Sequence, residues 1–315
     1  MKKHSNLNVI ILVGFLVLCM LSCFAGGGDN ENTRENKDVV AVDGTDSNKE
    51  ENDIDNSGEK NNETPIVDEA YNFKEQVLLD RDGIRITAKS IEKSWAGTSL
   101  NVLVENDSET NITVQTRDSI VNGIMVDTWA SIDIVAGKKA NDSITFTSSD
   151  VKTAGIDIFK DISLKFHVFN SDDWNTIFDT EQISFTANDD VDYTQKYDDS
   201  GIEVLNRDGF RIVAKQMNSK DSFWGADLYL YIENNSGKDA TIQVRDVSIN
   251  DFMVDPYFSC DILNGAKAFD SITFMESDFK ENGITDIKTL ELSFHVFDKE
   301  SWKSIFDTET IKINF

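Results

Sequence analysis

From about residue 77 onward, apolar and polar residues alternate in short runs of period two. IRITAK, SLNVLVE, NITVQTRD, ASIDIVA, DSITFT, ISLKFHVF and EQISF follow one another, separated by Asp82-Gly83, Asn122-Gly123 and Ala136-Gly137. Alternation with that period puts every second side chain on one face of a strand, and Asn-Gly or Asp-Gly between runs turns the chain back. The pattern predicts an all-β fold of antiparallel strands, with a β-sandwich as the expected architecture and a barrel as the alternative. One interruption is helical. SSDVKTAGI and its later twin ESDFKENGI predict a turn or two of helix, with Ser149 and Ser277 as N-caps and Gly155 and Gly283 as left-handed stops.

The pattern then repeats. FHVFNSDDWNTIFDTE at 166–181 recurs as FHVFDKESWKSIFDTE at 294–309, and the strands of the first stretch return as FRIVAK, DLYLYIE, ATIQVRD, FSCDILN, DSITFM, LELSFHVF and ETIKINF. Asp82-Gly83 aligns with Asp208-Gly209, Trp95 with Trp224, Asn122 with Asn250, Gly137 with Gly265 and Trp174 with Trp302. A period this long exceeds that of a solenoid, so each copy is a complete domain. The expected organisation is a sandwich over 74–187, an acidic hinge NDDVDYTQKYDDS over 188–200, and a second sandwich over 201–315. The phrases LNVLVENDSETNITVQTRDSIVNGIMVD, LYLYIENNSGKDATIQVRDVSINDFMVD, KKANDSITF and FHVF…W…IFDTE resemble tandem immunoglobulin-like lipoproteins from low-GC Gram-positive bacteria. That resemblance implies an immunoglobulin-like fold for both copies and no particular activity.

The N-terminus changes the picture from a soluble protein to an exported one. MKKHSNLN is basic, VIILVGFLVLCML is apolar, and Ser22-Cys23 follows, which is the order of a secretory signal. The apolar run is short for a membrane span. Met20-Leu21-Ser22-Cys23 resembles the bacterial lipobox, which implies a signal peptide over 1–22, lipid on Cys23 and a place on the extracellular face of the cell membrane; Cys19, after the bulkier Leu18, is the poorer fit. Residues 23–73 are rich in Asn, Asp, Glu and Gly and poor in aromatics, as expected of a disordered acidic tether. Fifty or so such residues reach roughly 40 Å as a coil. Once the signal leaves and Cys23 is lipidated, Cys260 stands alone among the three cysteines, so no internal disulfide is available. It falls in an alternating Phe258, Cys260, Ile262 pattern, matches Ile132 of the first copy, and is expected to be a buried thiol.

A formal net charge of −27 over 315 residues argues against nucleic acid as a partner and for solubility, cations or basic surfaces. Catalytic signatures do not emerge. There is no G-x-S-x-G, no H-E-x-x-H and no phosphate-cradling Gly loop, and each copy has one histidine, His167 or His295, read as solvent-facing opposite Leu164, Phe166 and Val168. The expectation is a protein that is not an enzyme. If Asn122-Gly123 and Asn250-Asp251 are two-residue hairpin turns, then Asp118 faces Asp127 and Asp246 faces Asp255 across paired strands. Facing like charges repel, so an arginine such as Arg117 or Arg245, or a Ca²⁺ ion with further oxygen ligands, is expected to offset them. Trp95, Trp129, Trp224 and Tyr257 are candidate contacts for a protein or glycan partner, while Trp174 and Trp302 are expected to pack over the core edge. Together these point to a lipid-anchored extracellular binding or adhesion module. The alternative is an accessory or sensor subunit of a membrane transporter, kinase or wall-associated enzyme.

Overall fold

A computed structural model describes residues 73–94, 97–188, 192–218 and 225–315. The described residues are all-β apart from two short helices, and their strands assemble into open, sandwich-like sheets. In repeat 1 the strands are β1 (Gln76–Arg81), β2 (Ile84–Ser94), β3 (Gly97–Asn106), β4 (Ile112–Val121), β5 (Ile124–Met125), β6 (Thr128–Trp129), β7 (Ser131–Ile134), β8 (Lys138–Thr147), β9 (Asp161–Asn170), β10 (Thr176–Asp179) and β11 (Ile183–Thr186). Helix α1 (Ser148–Thr153) sits between β8 and β9. Repeat 2 follows with β12 (Ile202–Arg207), β13 (Phe210–Asn218), β14 (Gly225–Asn234), β15 (Ala240–Ile249), β16 (Phe252–Met253), β17 (Ser259–Ile262), β18 (Lys267–Met275), α2 (Glu276–Asn282), β19 (Thr289–Asp298), β20 (Ser304–Asp307) and β21 (Ile311–Asn314).

Each repeat has its own apolar core. In β3, Leu100, Val102 and Val104 are buried while their neighbours are half-exposed, and β9 buries Ile162, Leu164, Phe166 and Val168 in the same alternating way. Phe146 meets Phe159 edge to face in the first core, with ring centroids 5.1 Å apart. Phe210 and Phe306 do the same in the second at 5.8 Å. Cys260 is buried where its alternation placed it, and burial raises its thiol pKa well above the ordinary value. No helix among the described residues is long and apolar enough to cross a membrane.

The hairpin turns are as read. Asn122 and Gly123 both have positive φ (51° and 85°), as do Asn250 and Asp251 (50° and 69°), which is the twist-matched two-residue turn. Val121 then pairs with Ile124 and Ile120 with Met125. The helices start differently from expectation. The N-caps are Thr147 and Met275, neither making a side-chain cap bond, and Ser149 and Ser277 lie inside the helices. Thr147 instead donates its Oγ1 to Asp150 Oδ2 at 2.9 Å, so the first turn is closed by an acid within it. Gly283 is the left-handed stop of α2, and Gly155 also has positive φ.

The two repeats lie in one compact unit and share a sheet. Strand β5 of repeat 1 pairs in parallel with β18 of repeat 2 through Ile124 and Lys267, giving a ten-stranded sheet in the order β10-β9-β4-β5-β18-β14-β13-β12, with β7 and β11 attached to β4 and β9. Ile120 and Met125 pack against the second core, and Phe269 packs against the first. Of the expected hinge over 188–200, residues 192–200 are tied to both sides. Asn122 Nδ2 donates to Gln195 Oε1 at 3.1 Å, and Tyr197 stacks on Tyr231 at 5.6 Å.

Candidate functional site

The outer face of β9 carries an aromatic ladder that is repeated on β19. After Val168 the alternation of β9 breaks, because Phe169 is also buried although it lies outside the core cluster. Its cover is Trp174. The loop from β9 to β10 closes with Trp174 N–H donating to Asn170 O at 2.9 Å, and Trp174 takes a left-handed φ of 64°. For a bulky L-residue that conformation costs about 1–2 kcal/mol, yet Trp302 repeats it at 59°. The strain places the indole flat on Phe169, 5.5 Å between centroids and 18° between planes, and Trp302 lies on Phe297 at 5.6 Å and 20°. One face of each indole is thus supported and the other open, with Trp174 75% and Trp302 74% exposed.

Beneath each tryptophan the ladder continues. The His167 ring is 5.2 Å from Phe169, and its Nδ1 lies 2.7 Å from Asp179 Oδ1, itself 3.7 Å from Arg117. His295, Phe297, Asp307 and Arg245 repeat the arrangement. His167 and His295 are therefore not solvent-facing. Each side chain is only 12% exposed, because an aromatic neighbour and the aspartate from the paired strand close over it. Trp174 and Trp302 pack on Phe169 and Phe297, which are buried but lie outside the two core clusters. The His–Asp pair fixes the orientation of each ring within the ladder.

The opposed aspartates fall elsewhere. The expected register holds as far as Ser119, whose carbonyl accepts from Val126 N–H at 3.0 Å. At Asp118 the strand bulges with a φ of 51°, and β6 leaves β4 to pair with β8, so Asp118 and Asp127 do not face each other. Asp118 is instead gripped by Lys165 Nζ at 3.2 Å and by Lys299 Nζ from repeat 2. Burial alone would raise its carboxyl pKa, but hydrogen bonds and charge from Lys299 and Lys165 hold it below the usual value. The offsetting cations are thus lysines, while Arg117 and Arg245 serve Asp179 and Asp307. A Ca²⁺ ion at Asp118 would have to displace both lysines. Among the described residues no group of three or more His, Cys, Asp or Glu side chains could hold a metal. Asp246 and Asp255 are exposed, Asp246 at a φ of 52°.

No protein-family model matches this chain, and no curated protein matches it. Among solved structures, the crystal structure of the YadV chaperone aligns over 74% of this chain and 100% of that chain, at 12% identity and a TM-score of 0.24. A likeness that weak carries no functional argument.

Asp127 has acidic company of a different kind. Burial raises its pKa, and Asp150 and Asp261 add to the rise. Nearby, burial lifts Asp270 to about 6 against the Ser271 N–H bond that favours its charged form. Carboxyls with raised folded pKa values weaken the fold when ionised, and that loss disappears once pH falls below the unfolded value. Asp127→Asn should therefore stabilise the protein at pH 7 by about 0.5–1 kcal/mol after solvent screening. The gain should vanish below a pH of about 4. Thermal melts at the two pH values check this; an equal gain at both would make the effect non-electrostatic.

Of the other candidates, Trp129 lies on edge strand β6 opposite Thr145, and Tyr257 bridges Thr273 at the matching place; both are as open as Trp174. Trp95, Trp224 and Cys23 lie outside the described residues. The strained Trp174 and Trp302 were the candidates that sequence reading undervalued. Their signal was the fixed FHVF…W spacing in both copies.

Proposed function

We propose that this protein is a lipid-anchored extracellular binding module, not an enzyme, whose two repeats each present an open indole to a partner. The observation that carries this reading is the strained, phenylalanine-backed tryptophan made twice, Trp174 on Phe169 and Trp302 on Phe297. Backbone strain kept at equivalent places in both copies supports a use for the side chain beyond folding. A flat, supported aromatic face on a loop that also carries Asp172, bonded to Asn111, and Asn175 suits a ligand with an apolar face and a polar rim, such as a sugar ring. Two such faces on one chain give avidity toward a repeating polymer.

Tryptophan fluorescence titrated with cell-wall polysaccharide tests this. Trp174→Ala and Trp302→Ala should each weaken binding at least tenfold and the pair abolish it, with unchanged thermal melts. Full binding by the double variant would remove these indoles from the site. The anchor is tested separately. Cys23→Ala should move the protein from the membrane fraction to the medium, and continued membrane retention would rule out lipid at that residue.

A further inference from the structure

Repeat 2 carries the same hairpin that joins repeat 1 to its neighbour, and there it is bare. In repeat 1 the β4–β5 tip is covered. Ile124 is 1% exposed, Gly123 O accepts from Lys267 N–H at 3.0 Å, and Asp118 takes Lys299. The aligned residues of repeat 2 are Phe252, Asp251 and Asp246, in a turn of the same shape with Ile249 paired to Phe252. Yet Phe252 is 46% and Met253 66% exposed, and Asp246 has no ion pair among the described residues.

The receiving surface is also duplicated, and it is bare in repeat 1. The edge of β18 that accepts Ile124 corresponds to the stretch Lys138–Asn141 of β8. That stretch pairs with β3 on one side, while on the other β6 reaches only Thr145 and Phe146. Lys138, Lys139 and Asn141 are exposed.

We propose that a second copy of this chain occupies both surfaces: the Phe252–Met253 hairpin of one molecule docks on the Lys139 edge of the next. The contact repeats between molecules the joint that each molecule already makes within itself. Every molecule then keeps one free donor hairpin and one free acceptor edge, so the assembly runs head to tail and has no symmetry that stops it at two. Two differences make this contact weaker than the internal one. Asn141 stands where repeat 2 has Phe269, and Ser171 stands where it has Lys299. Lys138 and Lys139 also guard the edge, so pairing needs high local concentration. Screening by salt should favour it, because the net charge of −27 repels like molecules.

Sedimentation velocity over a concentration series tests the proposal, using the chain from residue 23 onward with Cys23→Ala. The native sequence should sediment faster as concentration rises, more so in high salt. Phe252→Asp should remain monomeric, and because Phe252 is exposed it should melt normally. Asn141→Phe, which restores the aromatic acceptor, should tighten association at least tenfold. Phe252→Asp combined with Asn141→Phe should return to monomer. If the native sequence and Asn141→Phe both stay monomeric at every concentration, the proposal fails. It also fails if the combined variant associates as strongly as Asn141→Phe alone.

Discussion

Replacing Asn106 or Asn234 by aspartate should unfold the affected repeat at temperatures the native protein withstands. Asn106 is fully buried and every polar atom of its amide is used. Its Nδ2 donates to Thr110 O at 2.8 Å and to Ile134 O at 3.0 Å, while its Oδ1 accepts from Ser108 N at 3.1 Å and Ser108 Oγ at 2.6 Å. Asn234 makes the same four bonds to Lys238, Ile262 and Ser236. Each amide ties the end of one strand to a loop and to a strand of the other sheet. Aspartate would lose both donors and turn a buried negative charge toward two carbonyl oxygens. The expected loss is about 3–5 kcal/mol. Scanning calorimetry would show it, with a fall in Tm of roughly 15 °C or more. The buried carboxyl has a raised folded pKa, so the deficit should shrink as pH falls from neutral toward the unfolded value near 4 and stay constant below it, where the protonated carboxyl can donate once. A loss under about 1 kcal/mol would mean that water replaces the amide.

The second large effect is at the joint. Asp118→Ala should leave Lys165 and Lys299 facing each other without their shared carboxylate. The Asp118 side chain is 13% and that of Lys299 22% exposed, so solvent compensates only in part. A loss of about 2–3 kcal/mol is expected at pH 7. The sign with pH follows from the depressed carboxyl. Its stabilisation is complete above the unfolded value near 4 and disappears as pH falls through the lower folded value. Native and Asp118→Ala melting temperatures should therefore converge in acid. Lys299 also pairs with Asp261 at 3.2 Å, so Lys299→Ala should destabilise the protein, the opposite sign to Asp127→Asn, because Asp118 and Asp261 both lose that cation. Parallel melting curves for Asp118→Ala and the native protein from pH 7 to pH 2 would deny the ion pair its role.

The fold was legible because its signals are local. Strand faces follow from period two, and Asn122-Gly123 and Asn250-Asp251 follow from the positive φ their turn demands. The buried Cys260 followed from the same alternation. The candidate site was less legible. Facing aspartates were counted out from a correct turn, but the bulge at Asp118 ended that register. A bulge is a compromise among strands from distant parts of the chain, and residue spacing does not carry it. His167 was assigned to solvent by strand parity, which says nothing about a side chain arriving from the next loop. Phe169 on the same strand and Asp179 from β10 close over it, and Asp179 arrives only once the β9–β10 turn is built.

Local patterning along the chain specifies that this protein is built of strands, that its body is duplicated, and which residues form the inner faces. Those are properties of neighbours along the chain, where backbone geometry links one residue to the next. Which surfaces each copy covers is instead set by long-range packing. The equivalent hairpin is buried in repeat 1 and exposed in repeat 2, and among the described residues the equivalent aspartate has ion pairs at Asp118 and none at Asp246. Homologous segments with the same turn do not set that difference locally. It arises because repeat 1 has a neighbour that follows it, with Lys267, Phe269 and Lys299 placed to receive it.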